Sequence, residues 1–161
     1  MTGLDMARAL ESTPLAVAIA KSNWLFPLLE TLHVLAIAIV VGSLAMLDIR
    51  LLGLANVRRS LSEMMRSVLP WVWSAFIVAA VCGALLFSSK ASTYYVNLPF
   101  RIKFVCLILA AANMLAFHWS AQDISGWQNG PPPLRARIAG AISLVLWISI
   151  VAAGRWIGFT T

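Results

Sequence analysis

Four ionisable side chains, Glu30, His33, Lys103 and His118, stand in stretches of the chain that otherwise carry little charge. Glu30 and His33 are three residues apart, a spacing that sets both side chains on one face of a helix. Two chemistries suit that pair. One is a Glu–His hydrogen bond that satisfies two buried polar groups. The other is ligation, because neutral imidazole is the commonest metal ligand and a neighbouring carboxylate fixes its tautomer. His33 is thereby a candidate ligand for a metal ion or for haem iron. A di-iron carboxylate centre is a poor match, since it draws on two Glu-x-x-His motifs and two further carboxylates, and the chain has one such motif. A copper site would favour His and Met, but the six methionines form no Met-x-x-Met cluster.

Lys103 opens an apolar stretch, and its long side chain can reach inward to Glu30 and His33 or outward to lipid headgroups. Lys103, Leu107, Ala110, Met114 and His118 follow helical spacing and form one stripe, with the lysine near one end and the histidine near the other. On upright helices His33 lies roughly 13 Å below the membrane face at Trp24 and His118 roughly 27 Å below it. Two histidines that share a haem approach its iron from opposite sides at similar depth, so these two are not expected to share one within a protomer. His118, beside Trp119, reads as an interfacial polar residue. Its use for a second cofactor would need a non-histidine partner or another subunit. Trp147, in mid-stretch, fits either bundle filling or packing on a flat cofactor.

The elements that carry these residues follow from composition. Of 161 residues, 61% are hydrophobic and 11% charged, against about 45–50% and about 25% in soluble domains. A bilayer removes the excess apolar surface from water. The pattern predicts an all-α integral membrane bundle of four transmembrane helices with a short N-terminal interfacial segment, divided as 1–22 and 23–161. The spans are expected at 24–47, 68–89, 99–122 and 134–158. Asp48 and Arg50 mark the exit of the first. Ser60 and Glu63 form a capping-box pattern for a short surface helix, and Pro70 suits a first turn. "SKASTYYVNLP" and the turn-rich "SGWQNGPPP" read as loops. Gly42, Ser43 and Gly83 are small enough for close helix approach, and Asn113 for an interhelical hydrogen bond. Cys82 and Cys106 read as buried free thiols.

The net charge of +6 comes from residues lying mostly between apolar runs, where anionic headgroups rather than nucleic acid would meet them. Arg50, Arg58, Arg59, Arg66, Arg135 and Arg137 fall on one face of the expected topology. Arg8, Lys21, Lys90, Arg101, Lys103 and Arg155 fall on the face that also holds both termini. This six-to-six division of the 12 cationic residues leaves the dense first-loop cluster to favour a cytoplasmic opposite face.

"WLFPLLETLHVLAIAIVVGSLAMLDIRLLG", "LPWVWSAFIVAAVCGALLF" and "NLPFRIKFVCLILAAANMLAFH" resemble an uncharacterised family of bacterial four-helix membrane proteins over residues 24–120. More distantly, the layout is similar to the membrane domain of copper-resistance protein D and to HemJ-type protoporphyrinogen oxidases. Those proteins share a histidine early in the first span with a small-residue Gly step after it, a Gly late in the second and a Lys opening the third. The resemblance implies haem b at His33 and a functional role for Lys103. It implies haem binding rather than a particular reaction. The expectation is a multi-pass bacterial inner-membrane protein that holds haem b through His33, tuned by Glu30 or Lys103, in electron transfer or membrane redox. Lipid, a homo-oligomeric copy and a redox partner or quinone are its expected partners. A metal-handling or transport protein and a cofactor-free structural subunit are the alternatives.

Overall fold

A computed structural model describes residues 2–54, 61–120 and 132–160, and all of its regular structure is helical. Two short helices come first, α1 (Gly3–Glu11) and α2 (Pro14–Lys21). Each starts where local chemistry dictates. Thr2 and Asp5 form a reciprocal capping box on α1. Thr13 caps α2, whose first position is the proline that needs no hydrogen-bond partner there. Four long helices follow: α3 (Leu25–Leu51), α4 (Leu61–Ser89), α6 (Leu98–Ser120) and α7 (Leu134–Thr160), with the short α5 (Ala91–Val96) between α4 and α6. All four are long and apolar enough to cross a membrane. The 27 residues of α3 span roughly 40 Å, against a hydrocarbon core of about 30 Å. Their outward faces expose Leu35, Ile77, Ile108 and Ile148, among other large apolar side chains, a surface that suits lipid. The chain is a multi-pass membrane protein.

The spans pack in the order α4, α3, α7, α6, each on the next, whereas among the described residues α4 and α6 do not approach one another closely. The α3–α4 contact centres on Val40, Val72 and Ala75, flanked by Leu44 and Val68, with Trp147 reaching in from α7. The α3–α7 crossing is made by Gly140. A Cβ there would lie 2.9 Å from the Leu51 Cβ and 3.0 Å from the Asp48 carbonyl. On the side that holds the termini, stacked aromatic rings bridge α4 to α6. Phe87 and Phe100 have centroids 5.2 Å apart, and Tyr94 of α5 stacks on both. Also on this side, Ser92 donates to Glu11 (2.6 Å) and Asn97 to the Thr160 hydroxyl (2.9 Å).

Three expectations change. The first span runs four residues beyond Leu47, so Asp48 and Arg50 lie inside the helix and are buried, at 4% and 5% exposure, rather than at a membrane boundary. The helix ends instead at Gly53. Its φ of +78° lets the Leu54 N–H bond the Ile49 carbonyl and its own N–H bond that of Arg50, a left-handed cap. Second, no separate surface helix precedes α4. It runs unbroken through Pro70, because Val68 and Val72 on either side are held by the α3 contact while the proline removes only one backbone donor. Ser60, of the expected capping box, lies outside the described residues. Third, "ASTYYV" is helix rather than loop, since Ala91 is wholly buried and Tyr94 joins the aromatic stack. The predicted end of the third span and most of "SGWQNGPPP" lie outside the described residues.

Gly42, by contrast with Gly140, has open space where a Cβ would sit and does no packing. Gly140→Ala should therefore lower the thermal unfolding midpoint in detergent by an overpacking cost of about 1–3 kcal/mol. Gly42→Ala should leave it unchanged or raise it slightly.

Candidate functional site

His33 sits one-third of the way along α3 and leans against α4. Its ring lies on Gly83, where a Cβ would come within 2.9 Å of Cε1, so only glycine admits the imidazole. One turn earlier on α4, the Ala79 carbonyl lies 2.7 Å from Nδ1. A carbonyl oxygen only accepts, so Nδ1 carries the proton and donates. This carbonyl lies within a helix and accepts through its second lone pair, which orients the ring without breaking the ladder.

The opposite ring nitrogen, Nε2, faces across the bundle to Lys103 of α6, whose Nζ is 3.5 Å away. That distance is the outer limit for a hydrogen bond, so the contact is weak. With the ammonium donating, Nε2 is the acceptor and His33 is the neutral Nδ1–H tautomer. Gly154 of α7 lies beside Lys103, where a Cβ would be in ordinary van der Waals contact with Nζ at 3.7 Å. Side chains or glycines from all four spans thus converge on one half-buried imidazole. Its remaining lone pair is free apart from a long contact to a flexible lysine.

Glu30 is not part of that contact. It is exposed on the bundle surface and makes no hydrogen bond to His33 and no ion pair with Lys103 among the described residues, although its charge acts on the ring at a distance. The expected Glu–His pair is replaced by a histidine–backbone bond, because helix α4 comes close enough to supply a carbonyl. Glu30 acts also on Tyr94. Burial first, and the nearby Glu30 charge second, push the Tyr94 hydroxyl above the usual tyrosine range.

His118 lies 15 residues beyond Lys103 on α6, roughly 22 Å along the axis. Its Nδ1–H donates to its own helix, to the Met114 carbonyl at 3.0 Å. It stands exposed at the rim of a second feature, a cavity of about 330 Å³ walled by all four spans. Trp73, Phe76 and Trp147 line it, together with Asp48, Asn113 and Ser143. Asn113 donates to the Ala139 carbonyl at 3.0 Å, the interhelical bond expected of it. The cavity lies between α4 and α6, which do not pack on one another among the described residues, toward the end opposite the aromatic stack. His33 and Lys103 do not line it. Trp147 faces this cavity and the α3–α4 core rather than His33. Asp48 is the residue that sequence reading passed over. It sits in a "LDIR" string that resembles the polar end of a span, and only the extension of α3 to Leu51 buries it. No group of three or more His, Cys, Asp or Glu gathers among the described residues.

The chain belongs to a family described as being of unknown function, DUF6644, whose profile matches residues 25–160, the four long helices entire. No curated protein and no solved structure matches it.

The Tyr94 environment gives a pH test. Tyrosinate absorbance at 295 nm, read in a Tyr95→Phe background, should appear at higher pH in the folded protein than in denaturant, and Glu30→Gln should move it part of the way back. A raised folded-state value means that the stability linked to Tyr94 is intact below pH 10 and is lost as the pH rises through its ionisation.

Proposed function

We propose that this protein is a bacterial inner-membrane b-type haem protein working in electron transfer or membrane redox, with His33 as the axial ligand. The observation that carries the reading is the fixed tautomer of His33. A backbone carbonyl holds Nδ1–H, so the unshared pair of Nε2 points into the bundle. This is the arrangement in which imidazole binds metals, with the second ring nitrogen fixed by a hydrogen bond to a carbonyl or carboxylate. The donor atom fits the group. Lys103, whose Nζ now faces Nε2, is the side chain that would yield to it. Gly83 is the place where α4 leaves room for the imidazole itself. The resemblance to HemJ-type proteins, which associate haem with the corresponding histidine and importance with the corresponding lysine, points the same way.

A bound haem would supply one-electron transfer. The chain's own part is distinct. Ala79 orients the imidazole, and apolar α3 and α4 side chains keep water from it. Lys103 provides a positive charge within reach of the ring, suited to a haem propionate or to an anionic partner. Glu30, exposed beyond the ring, adds a compensating negative charge.

A second reading has its own support. The His33–Lys103 contact already joins α3 to α6, two spans that are not direct neighbours. It would serve a cofactor-free subunit as a packing device. A visible spectrum of protein purified in mild detergent from haem-sufficient cells separates the two. The haem reading expects a Soret band that sharpens and shifts on dithionite reduction, with α and β bands, and its loss in His33→Ala. A colourless wild-type protein, or full haem occupancy in His33→Ala, would refute the assignment. Gly83→Ala, which drives a methyl into the ring position, should lower haem retention while α3 and α4 remain packed.

A further inference from the structure

The cavity between α4 and α6 stands apart from His33. Asp48 is roughly 22 Å further along α3. The walls are almost wholly apolar, with Asp48, Asn113, His118 and Ser143 as the polar exceptions. The principal exception is Asp48. It is 4% exposed and accepts a hydrogen bond from Ser143, while its Oδ2 has no hydrogen-bond partner among the described residues. No lysine or arginine is among the described residues that line the cavity. Arg50, two positions on, is turned about 200° round the helix, and its own buried Nε also lacks a partner among the described residues. The two do not pair with each other.

A carboxylate in a low-dielectric cavity without a counter-charge is costly, and a cation brought to it offsets that cost. An anionic ligand is disfavoured for the same reason. A metal ion is a poor match, since the described residues gather no set of three His, Cys, Asp or Glu donors. The aromatic side chains of Trp73, Phe76 and Trp147 line the cavity and suit the apolar body of an organic cation. The volume, about 330 Å³, lies at the lower end of the range for small-molecule sites. The cavity lies between α4 and α6, two spans that do not pack on one another among the described residues, and its almost wholly apolar lining suits a membrane-soluble molecule.

We propose that this cavity binds a small lipophilic organic cation, its charge against the Asp48 carboxylate and its apolar body among Trp73, Phe76 and Trp147.

The test uses the full chain in lipid nanodiscs and titration calorimetry against empty nanodiscs. Two probes of the same shape differ only in charge, benzyltrimethylammonium and its neutral carbon isostere neopentylbenzene. The cation should bind saturably, once per chain, and neopentylbenzene should not displace it. Asp48→Asn should weaken cation binding about tenfold or more, while Asp48→Glu, which restores the charge, stays within a few-fold of wild type. Should Asp48→Asn fail to fold by circular dichroism, Ala110→Phe, which keeps the carboxylate and fills the wall, must abolish cation binding. Absent binding by the wild type, equal binding by a folded Asp48→Asn protein, or displacement of the cation by neopentylbenzene at matching concentration would each overturn the proposal. The last of these would make the cavity an apolar pocket indifferent to charge.

Discussion

The bond from His33 Nδ1–H to the Ala79 carbonyl is the contact on which the arrangement of the four spans turns. Polar groups in hydrocarbon must find partners within the protein, and a histidine in the first span has few to choose from. It takes a carbonyl on the neighbouring helix at 2.7 Å. That choice requires glycine at position 83, because any side chain there would occupy the ring's place. Fixing one ring nitrogen determines what the other can do. Nε2 is left as an acceptor facing the far side of the bundle, and Lys103 reaches it over Gly154 from a helix that α3 does not otherwise touch. A single tautomer thus links a helix–helix register, two glycines and a long cationic side chain.

The rest of the bundle follows from where α4 and α6 are tied and where they are not. Stacked rings of Phe87, Tyr94 and Phe100 close them together at the end that carries the termini. At the other end α3 and α7 meet closely at Gly140, and a cavity walled by all four spans lies between α4 and α6. The polar groups divide accordingly. Near one end His33 is held by the Ala79 carbonyl with Lys103 3.5 Å away, and near the other Asp48 is left half-satisfied. The two halves suit different chemistry, ligation in one and charge-selective binding in the other.

Much of this was legible in the sequence. The apolar runs gave four spans to within a few residues, since hydropathy over some twenty positions is a strong signal. Residue spacing isolated His33 and Lys103 and kept His118 apart from them. Gly83 was marked as a contact glycine, and Asn113 as an interhelical donor. What spacing could not give was the partner of His33. The Glu-x-x-His pattern points along one helix, while the partner is a backbone carbonyl on another, and every residue has such a carbonyl. Gly42 looked as suited to packing as Gly83, because composition does not reveal which face of a helix meets a neighbour. Asp48 was assigned to a boundary for the ordinary reason that charges end spans. Its burial depends on the left-handed cap at Gly53 and on close approach of α7, both tertiary facts.

The most direct test of this account is the tautomer of His33. Nitrogen NMR of protein labelled with 15N-histidine, stripped of any bound cofactor and compared with a His33→Gln variant to assign the signal, separates the two ring nitrogens. The account predicts a neutral ring, with Nδ1 protonated and Nε2 bare. A proton on Nε2 with Nδ1 bare, or a ring that is cationic at neutral pH, would contradict it, because neither form leaves a lone pair facing the centre of the bundle.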